Sequence, residues 1–334
     1  MTATKPSFSR RQLLTAGAAI AITAPWVRKA YAADKFRMAC WSPRLAEQAN
    51  IYVSEEKGFF KDQGVDFEFM PGQGAGDALR NMIAGNADVA FCGPEAIYLA
   101  ADKGSELKAI YDIYPVNVFN VFALKDKKIT TPRDLKGKKI GVISMASGTR
   151  YNLATILALN GMSERDVELV ALGINAAPAI IEGKVDAMAS TDSILAGMQL
   201  AGLGEVDVLW AKDFLNTSTD MFVVEEKQFE TKKDLMTRFL RGYKKGMEYT
   251  LANQDEAIAI TSKIAIDGKD PARVAASMKL RLACSQNANT QKNGLGWIDI
   301  PSLQAGQKIY KDAGFIKNDI DASKIATNEL IAKL

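Results

Sequence analysis

The residues best equipped for chemistry in this chain stand in short loops. Ser144-Met145-Ala146-Ser147-Gly148-Thr149-Arg150 gathers hydroxyls, a glycine and an arginine ahead of an apolar stretch. Free backbone N–H groups at a helix start, together with a guanidinium fork, suit a carboxylate or sulfonate. The same arginine could equally stand on the wet face of a capped helix. Trp41 and Ser42 offer a ring and a hydroxyl, and Trp41 is either a pocket wall or a core residue. Gly72-Gln73-Gly74-Ala75-Gly76 would let backbone approach a small ligand closely. It is no dinucleotide fingerprint, because the third glycine comes one position early. Glu95 and Asp192 point the other way, since carboxylates favour an amine, an amidine-like ring or a hydroxyl. Either acid could instead simply start a helix, where the dipole favours it. With Asn175 and Thr191 these residues complete the candidate ligand set, and the charge of the ligand stays open.

Histidine is absent from all 334 residues. That removes Ser-His-Asp and Cys-His nucleophiles, histidine-ligated zinc and an imidazole general base. No catalytic residue, metal or cofactor is expected.

The elements that must hold these loops alternate. Strand-like runs at 36–41, 65–70 and 87–92 are separated by helical spacing at 45–57 and 77–84. Strands at 140–144, 167–172 and 185–189 are separated by helices at 150–159 and 177–182. Such alternation predicts an α/β fold with largely parallel sheets. The unit is written twice: Ile83-Ala84-Gly85-Asn86-Ala87-Asp88 stands against Ile181-Glu182-Gly183-Lys184-Val185-Asp186, 98 residues on. Extended runs at 117–124 and 220–224 bracket the second copy, so two crossing strands join two lobes. The divisions expected are 33–120 with 225–334 for the first lobe and 121–224 for the second. Helices are expected at 235–251, 255–263, 271–282, 302–313 and 322–334, with Asp234, Asp255, Asp270, Ser302 and Asp321 near their starts. In open parallel sheets ligands lie beyond the carboxyl ends of the strands, which is where the candidate loops fall.

Composition agrees with a folded, exported protein. Apolar residues are 48% and charged residues 24%, enough for a core. The net charge of +3 comes from the first 32 residues, which hold five basic residues and no acid. The remainder has 37 basic against 39 acidic residues, which excludes a bulk-charge nucleic-acid binder. Ser9-Arg10-Arg11-Gln12-Leu13-Leu14 resembles a twin-arginine signal, and Ala30-Tyr31-Ala32 an A-x-A cleavage site. The apolar run between them falls short of the ~20 residues a membrane span needs. A signal over 1–32, cleaved near Ala32, and a periplasmic protein are therefore expected. Cys40, Cys92 and Cys284 read as free, buried thiols.

Four ordered motifs carry a family resemblance. They are Glu55-Glu56-Lys57-Gly58-Phe59-Phe60, Ala84-Gly85-Asn86-Ala87-Asp88-Val89-Ala90, Asp134-Leu135-Lys136-Gly137-Lys138-Lys139-Ile140-Gly141-Val142 and Gly183-Lys184-Val185-Asp186-Ala187. Together they resemble the substrate-binding proteins of ABC transporters for nitrate, sulfonates, taurine and thiamine precursors. The resemblance implies the two-lobed type II periplasmic binding fold and capture of a small polar or anionic solute, a sulfonate or carboxylate, by hinge closure. A thiamine-pyrimidine precursor or other heterocycle is the alternative solute. It also implies a membrane permease with a cytoplasmic ATPase as partner, and a monomer. The fungal thiamine-pyrimidine synthases share the architecture, but their chemistry needs a histidine and a cysteine-rich motif that this chain lacks.

Overall fold

The computed structural model describes residues 33–173 and 176–334. The expected export signal, residues 1–32, lies outside the described residues. Strand and helix alternate through β1 (Asp34–Cys40), α1 (Ala49–Glu56), β2 (Val65–Met70), α2 (Ala75–Ile83), β3 (Val89–Cys92), α3 (Pro94–Ala101) and β4 (Leu107–Tyr114). The pattern restarts with β5 (Phe119–Leu124), β6 (Lys139–Val142), α4 (Gly148–Leu159), β7 (Glu168–Ala171), α5 (Ala177–Ile181), β8 (Ala187–Thr191), α6 (Asp192–Leu200) and β9 (Val206–Trp210). Then come β10 (Asp220–Glu225), α7 (Glu226–Ala252), α8 (Gln254–Ile264), α9 (Pro271–Cys284), α10 (Ala288–Asn293), α11 (Ile300–Asp312) and α12 (Ala322–Ile325).

The strands form two five-stranded sheets, β2-β1-β3-β10-β4 and β7-β6-β8-β5-β9. The two orders are the same pattern. In each, the fourth strand belongs to the chain segment that crosses from the other sheet. These crossing strands run antiparallel to their neighbours, whereas β1, β2 and β3, and β6, β7 and β8, pair in parallel. The sheets are therefore mixed. A crossing strand enters its new sheet from the edge where the parallel strands end, and so must run back against them.

The internal repeat has one physical job in both copies. Gly85 and Gly183 end α2 and α5 at φ +75° and +70°, a left-handed turn that glycine adopts without a Cβ clash. Asp88 and Asp186 then clip onto the neighbouring parallel strand, β1 and β6 respectively. Asp88 accepts the Arg37 N–H at 2.9 Å, and its own N–H donates to the Arg37 carbonyl at 2.8 Å. Asp186 does the same with Lys139, at 2.9 and 2.8 Å. The hydrogen bonds from Arg37 and Lys232 outweigh burial and hold the Asp88 carboxyl below its ordinary range.

The packing follows from the aromatic motif. Phe60, Phe67 and Phe239 form a three-ring cluster at the first sheet, with Phe60 at 4.5 and 5.5 Å from the other two centroids and those two 6.0 Å apart. Each such ring stabilises the fold by roughly 1.5–3 kcal/mol on burial. The second sheet buries Ile140, Val142, Leu153 and Leu157 on one face and Phe122, Met188, Ile180 and Ile194 on the other. The three cysteines are free and buried. No helix among the described residues is long and apolar enough to cross a membrane.

Several elements depart from the sequence expectation. β4 and β9 were not foreseen. Asp112 interrupts the apolar run of β4, although it is only 1% exposed. Asp234 stands well inside α7. The cap of α11 is Asp299, not Ser302, whose N–H it accepts at 3.1 Å. The helix expected at 322–334 stops after Ile325, because Ala326 bridges to Ala109 beside β4 and must be extended there.

Candidate functional site

A cavity of about 330 Å³ lies where the loops of the two sheets face each other. Its walls come from strand ends and the turns that follow them. β1 supplies Trp41 and Ser42, β2 leads to Gly72, Gln73 and Gly74, and β3 leads to Glu95. From the second sheet, β6 leads to Ile143, Ser144, Ser147, Gly148 and Thr149, and β8 ends in Thr191. The crossing strands add Val118 and Phe119 ahead of and in β5, and Thr219 and Asp220 ahead of and in β10. Glu47 and Arg281 form the back.

The hydroxyls expected to meet a ligand are largely engaged already. Ser147 Oγ donates to the Ser144 carbonyl at 2.7 Å, and lies 2.7 Å from Thr149 Oγ1. Thr149 Oγ1 accepts the Ile143 N–H at 3.2 Å. Ser42 Oγ accepts from Gln48 Nε2 at 2.7 Å and donates to the Pro43 carbonyl at 2.8 Å. Thr191 caps α6 by accepting the Ile194 N–H at 3.4 Å. These groups shape the loops and present mostly carbon to the cavity. Gly148 is required by closeness, since a Cβ there would lie 2.5 Å from the Phe119 ring.

The unengaged polar groups are different ones. The Trp41 indole N–H and the Arg281 Nε and Nη2 groups are buried without a hydrogen-bond partner among the described residues, although Arg281 is paired in charge with carboxylates. Glu95 and Asp220 are 2% and 7% exposed. No side-chain donor among the described residues pairs with either. Burial pushes the Glu95 carboxyl up to about 7, held back by its own backbone N–H. Burial also raises Asp220 well above its ordinary range, and the Glu95, Glu47 and Asp112 carboxyls add to it. A neutral carboxylic acid can donate as well as accept, so this pair offers both kinds of hydrogen bond.

Ten of the expected ligand residues line this cavity: Trp41, Ser42, Gln73, Gly74, Glu95, Ser144, Ser147, Gly148, Thr149 and Thr191. Two are placed elsewhere. Arg150 lies outside the lining; its Nε and Nη2 donate to Glu164 at 2.8 and 2.9 Å, and its Nη1 to the Met145 carbonyl at 2.7 Å. Glu164 therefore closes the Nε–Nη2 fork that would clamp an anion. Asp192 is turned away too, and is ion-paired with Arg281. Asn175 lies outside the described residues.

Glu47, Asp220 and Arg281 were not anticipated, though each left a trace. Arg281 follows Val274 and Met278 by seven and three positions and so falls on the buried face of its helix. It is a cation where the spacing asks for an apolar residue. Asp220 opens a crossing strand whose next four residues, Met221 to Val224, are all apolar. Arg281 lies 3.4 Å from Glu47 Oε2, and its guanidinium stands 5.3 Å from the Tyr114 ring centre. Burial raises the Glu47 carboxyl, and Arg281 and the Ser193 hydroxyl hold it back.

Two mixed sheets flanked by helices, with a cleft between their loop edges, define the type II periplasmic binding fold. Residues 46–257 match the family described as "NMT1/THI5 like", and the chain belongs to that family. It is 27% identical over 288 residues to the riboflavin-binding protein RibY of Chloroflexus aurantiacus, covering 85% of this chain and 82% of that one. It is 24% identical over 220 residues to a 4-amino-5-hydroxymethyl-2-methylpyrimidine phosphate synthase of Saccharomyces cerevisiae, covering 62% of this chain and 64% of the synthase. Among solved structures, the alkanesulfonate-binding protein SsuA of Xanthomonas axonopodis superposes with a TM-score of 0.67 at 16% identity, over 88% of this chain and 98% of that one.

Proposed function

We propose that this protein is the exported receptor of an ABC importer, and that its solute is a neutral or weakly basic nitrogen heterocycle. One observation carries the solute class. The cavity holds two carboxyls with no cationic partner, Glu95 and Asp220, while both arginines near it are already paired with carboxylates. A sulfonate or nitrate placed there would meet like charge from Glu95 and Asp220, and the cavity's one arginine among the described residues, Arg281, already has its charge balanced by Glu47 and Asp192. A flat ring with N–H, amino and ring-nitrogen edges would meet donors and acceptors on Glu95, Asp220 and Trp41, with Trp41 and Phe119 offering aromatic surface. The riboflavin-binding and pyrimidine-forming relatives support the same class.

Export to the periplasm and delivery to a permease rest on the twin-arginine pattern and the family motifs. A receptor that catalyses nothing is supported by the absence of histidine, the residue that most often moves protons in enzymes.

The test is a thermal-shift and calorimetric comparison of riboflavin and 4-amino-5-hydroxymethyl-2-methylpyrimidine with an alkanesulfonate and nitrate. A ligand at a hundred times its Kd stabilises by about 2.7 kcal/mol, enough to raise the melting temperature clearly. At least one heterocycle should do so and be recovered unchanged. A shift with the sulfonate or nitrate alone would overturn the reading.

A further inference from the structure

The cavity is shut on two sides by contacts that no ligand makes. On one side Asp192, the first residue of α6, is ion-paired with Arg281 of α9. Its neighbour Ser193 donates its Oγ–H to Glu47 Oε2 at 3.0 Å. α6 packs into the core of the second sheet through Ile194, Leu195 and Met198. α9 packs into the core of the first through Val274 and Met278. The ion pair therefore ties one half of the molecule to the other. Its members are deep: the side chains of Arg281, Glu47 and Asp192 are 4%, 7% and 14% exposed. On the opposite rim the chain closes backbone against backbone. Gly74 has φ +125°, and a Cβ on it would come within 2.9 Å of the Ala146 carbonyl oxygen.

We propose that Arg281, Asp192, Glu47 and Ser193 form a latch that draws the two halves together before any solute arrives, so that Asp192 sets affinity without touching the ligand. The attraction acts between charges held away from water, where it is strongest. Opening the cleft leaves Arg281 with Glu47 alone and separates Ser193 from its acceptor. Because the latch is built only from protein groups, part of the unliganded population is closed. The apparent Kd is then the intrinsic one divided by the closed fraction. A residue that touches solute changes the preference between solutes. A latch residue scales every affinity by one factor. Asp192 does not line the cavity, which makes it a positioning residue. Selection is left to Glu95 and Asp220.

The test needs no ligand in its first arm, so it stands apart from the identity of the solute. Small-angle scattering is compared for unliganded wild type, Asp192→Asn and Ser193→Ala. Both variants should show a larger radius of gyration, Asp192→Asn the more. In the second arm riboflavin and 4-amino-5-hydroxymethyl-2-methylpyrimidine are titrated into each protein. For any probe that binds wild type, Asp192→Asn should weaken binding by roughly ten- to a hundredfold, and by the same factor for each. Should Asp192→Asn fail to fold, Ser193→Ala, which keeps every charge, carries the scattering comparison. An unliganded radius equal to wild type in the folded variants would overturn the latch. A loss confined to one probe would do so as well, by making Asp192 a ligand contact. A larger radius with no binding of either probe would support the latch and reject the proposed solutes.

Discussion

Two arginines stand near the cavity and have opposite roles. Arg150 opens α4 beside the hydroxyl-rich loop, with its side chain a quarter exposed and a two-point pair to Glu164. Arg281 stands in α9, 4% exposed, between Glu47 and Asp192. The first has the local surroundings of an anion clamp and lies outside the pocket. The second has no motif around it and forms the back wall. What separates them is the partner, not the residue type. Glu164 sits fourteen residues beyond Arg150, on the same side of the molecule. The partners of Arg281 come from chain segments roughly ninety and two hundred and thirty residues away, and only the closed fold assembles them.

The contrast can be broken first at Arg281. Arg281→Met leaves Glu47 and Asp192 facing each other without a cation. Losing one member of a buried ion pair costs about 3–5 kcal/mol. Urea unfolding should therefore show a much lower midpoint. A midpoint unchanged from wild type would mean the pair is far more solvated than its burial indicates.

Glu95 sharpens the comparison by its pH dependence. Its carboxyl titrates near 7 rather than 4.5 in the folded protein. Below pH 4.5 it is neutral whether the chain is folded or not, and has no effect. As pH rises through the window between those values, the unfolded chain releases the proton first and stability falls. Above 7 the difference amounts to about 3 kcal/mol. Glu95→Gln should thus melt higher than wild type at pH 8 and with it at pH 4. Equal melting at pH 8 would show that water already reaches the carboxylate.

The smallest effect belongs to Arg150. Arg150→Ala breaks a partly exposed pair and should cost less than about 1 kcal/mol. Affinity for the solute should stay within twofold of wild type. A tenfold loss on calorimetric titration would put Arg150 back in the pocket and favour an anionic ligand.

The strand–helix alternation, the duplicated Gly-x-x-Asp step and the family motifs were legible because they are local. Helical spacing, a left-handed glycine and an aspartate clipping the strand beside it need only neighbouring backbone. The loops that follow the parallel strands were legible for the same reason, and ten of their residues line the cavity. The starts of β5 and β10 were not, because the rule that ligands sit beyond strand carboxyl ends overlooks antiparallel strands. These begin at that very edge, and so bring Phe119 and Asp220 into the site.

The sequence by itself therefore determined the α/β class, the twofold repeat, the crossing segments and the absence of imidazole chemistry. Each depends on residue type or on spacing along a few turns of chain. The tertiary structure alone decided which charges meet. Arg150 is neutralised at the rim, Arg281 is set between Glu47 and Asp192, and Glu95 and Asp220 are left facing the cavity without a cation. The physical reason is that a carboxylate or guanidinium takes its character from burial and from the charge beside it. Both are set by contacts between segments that are distant along the chain.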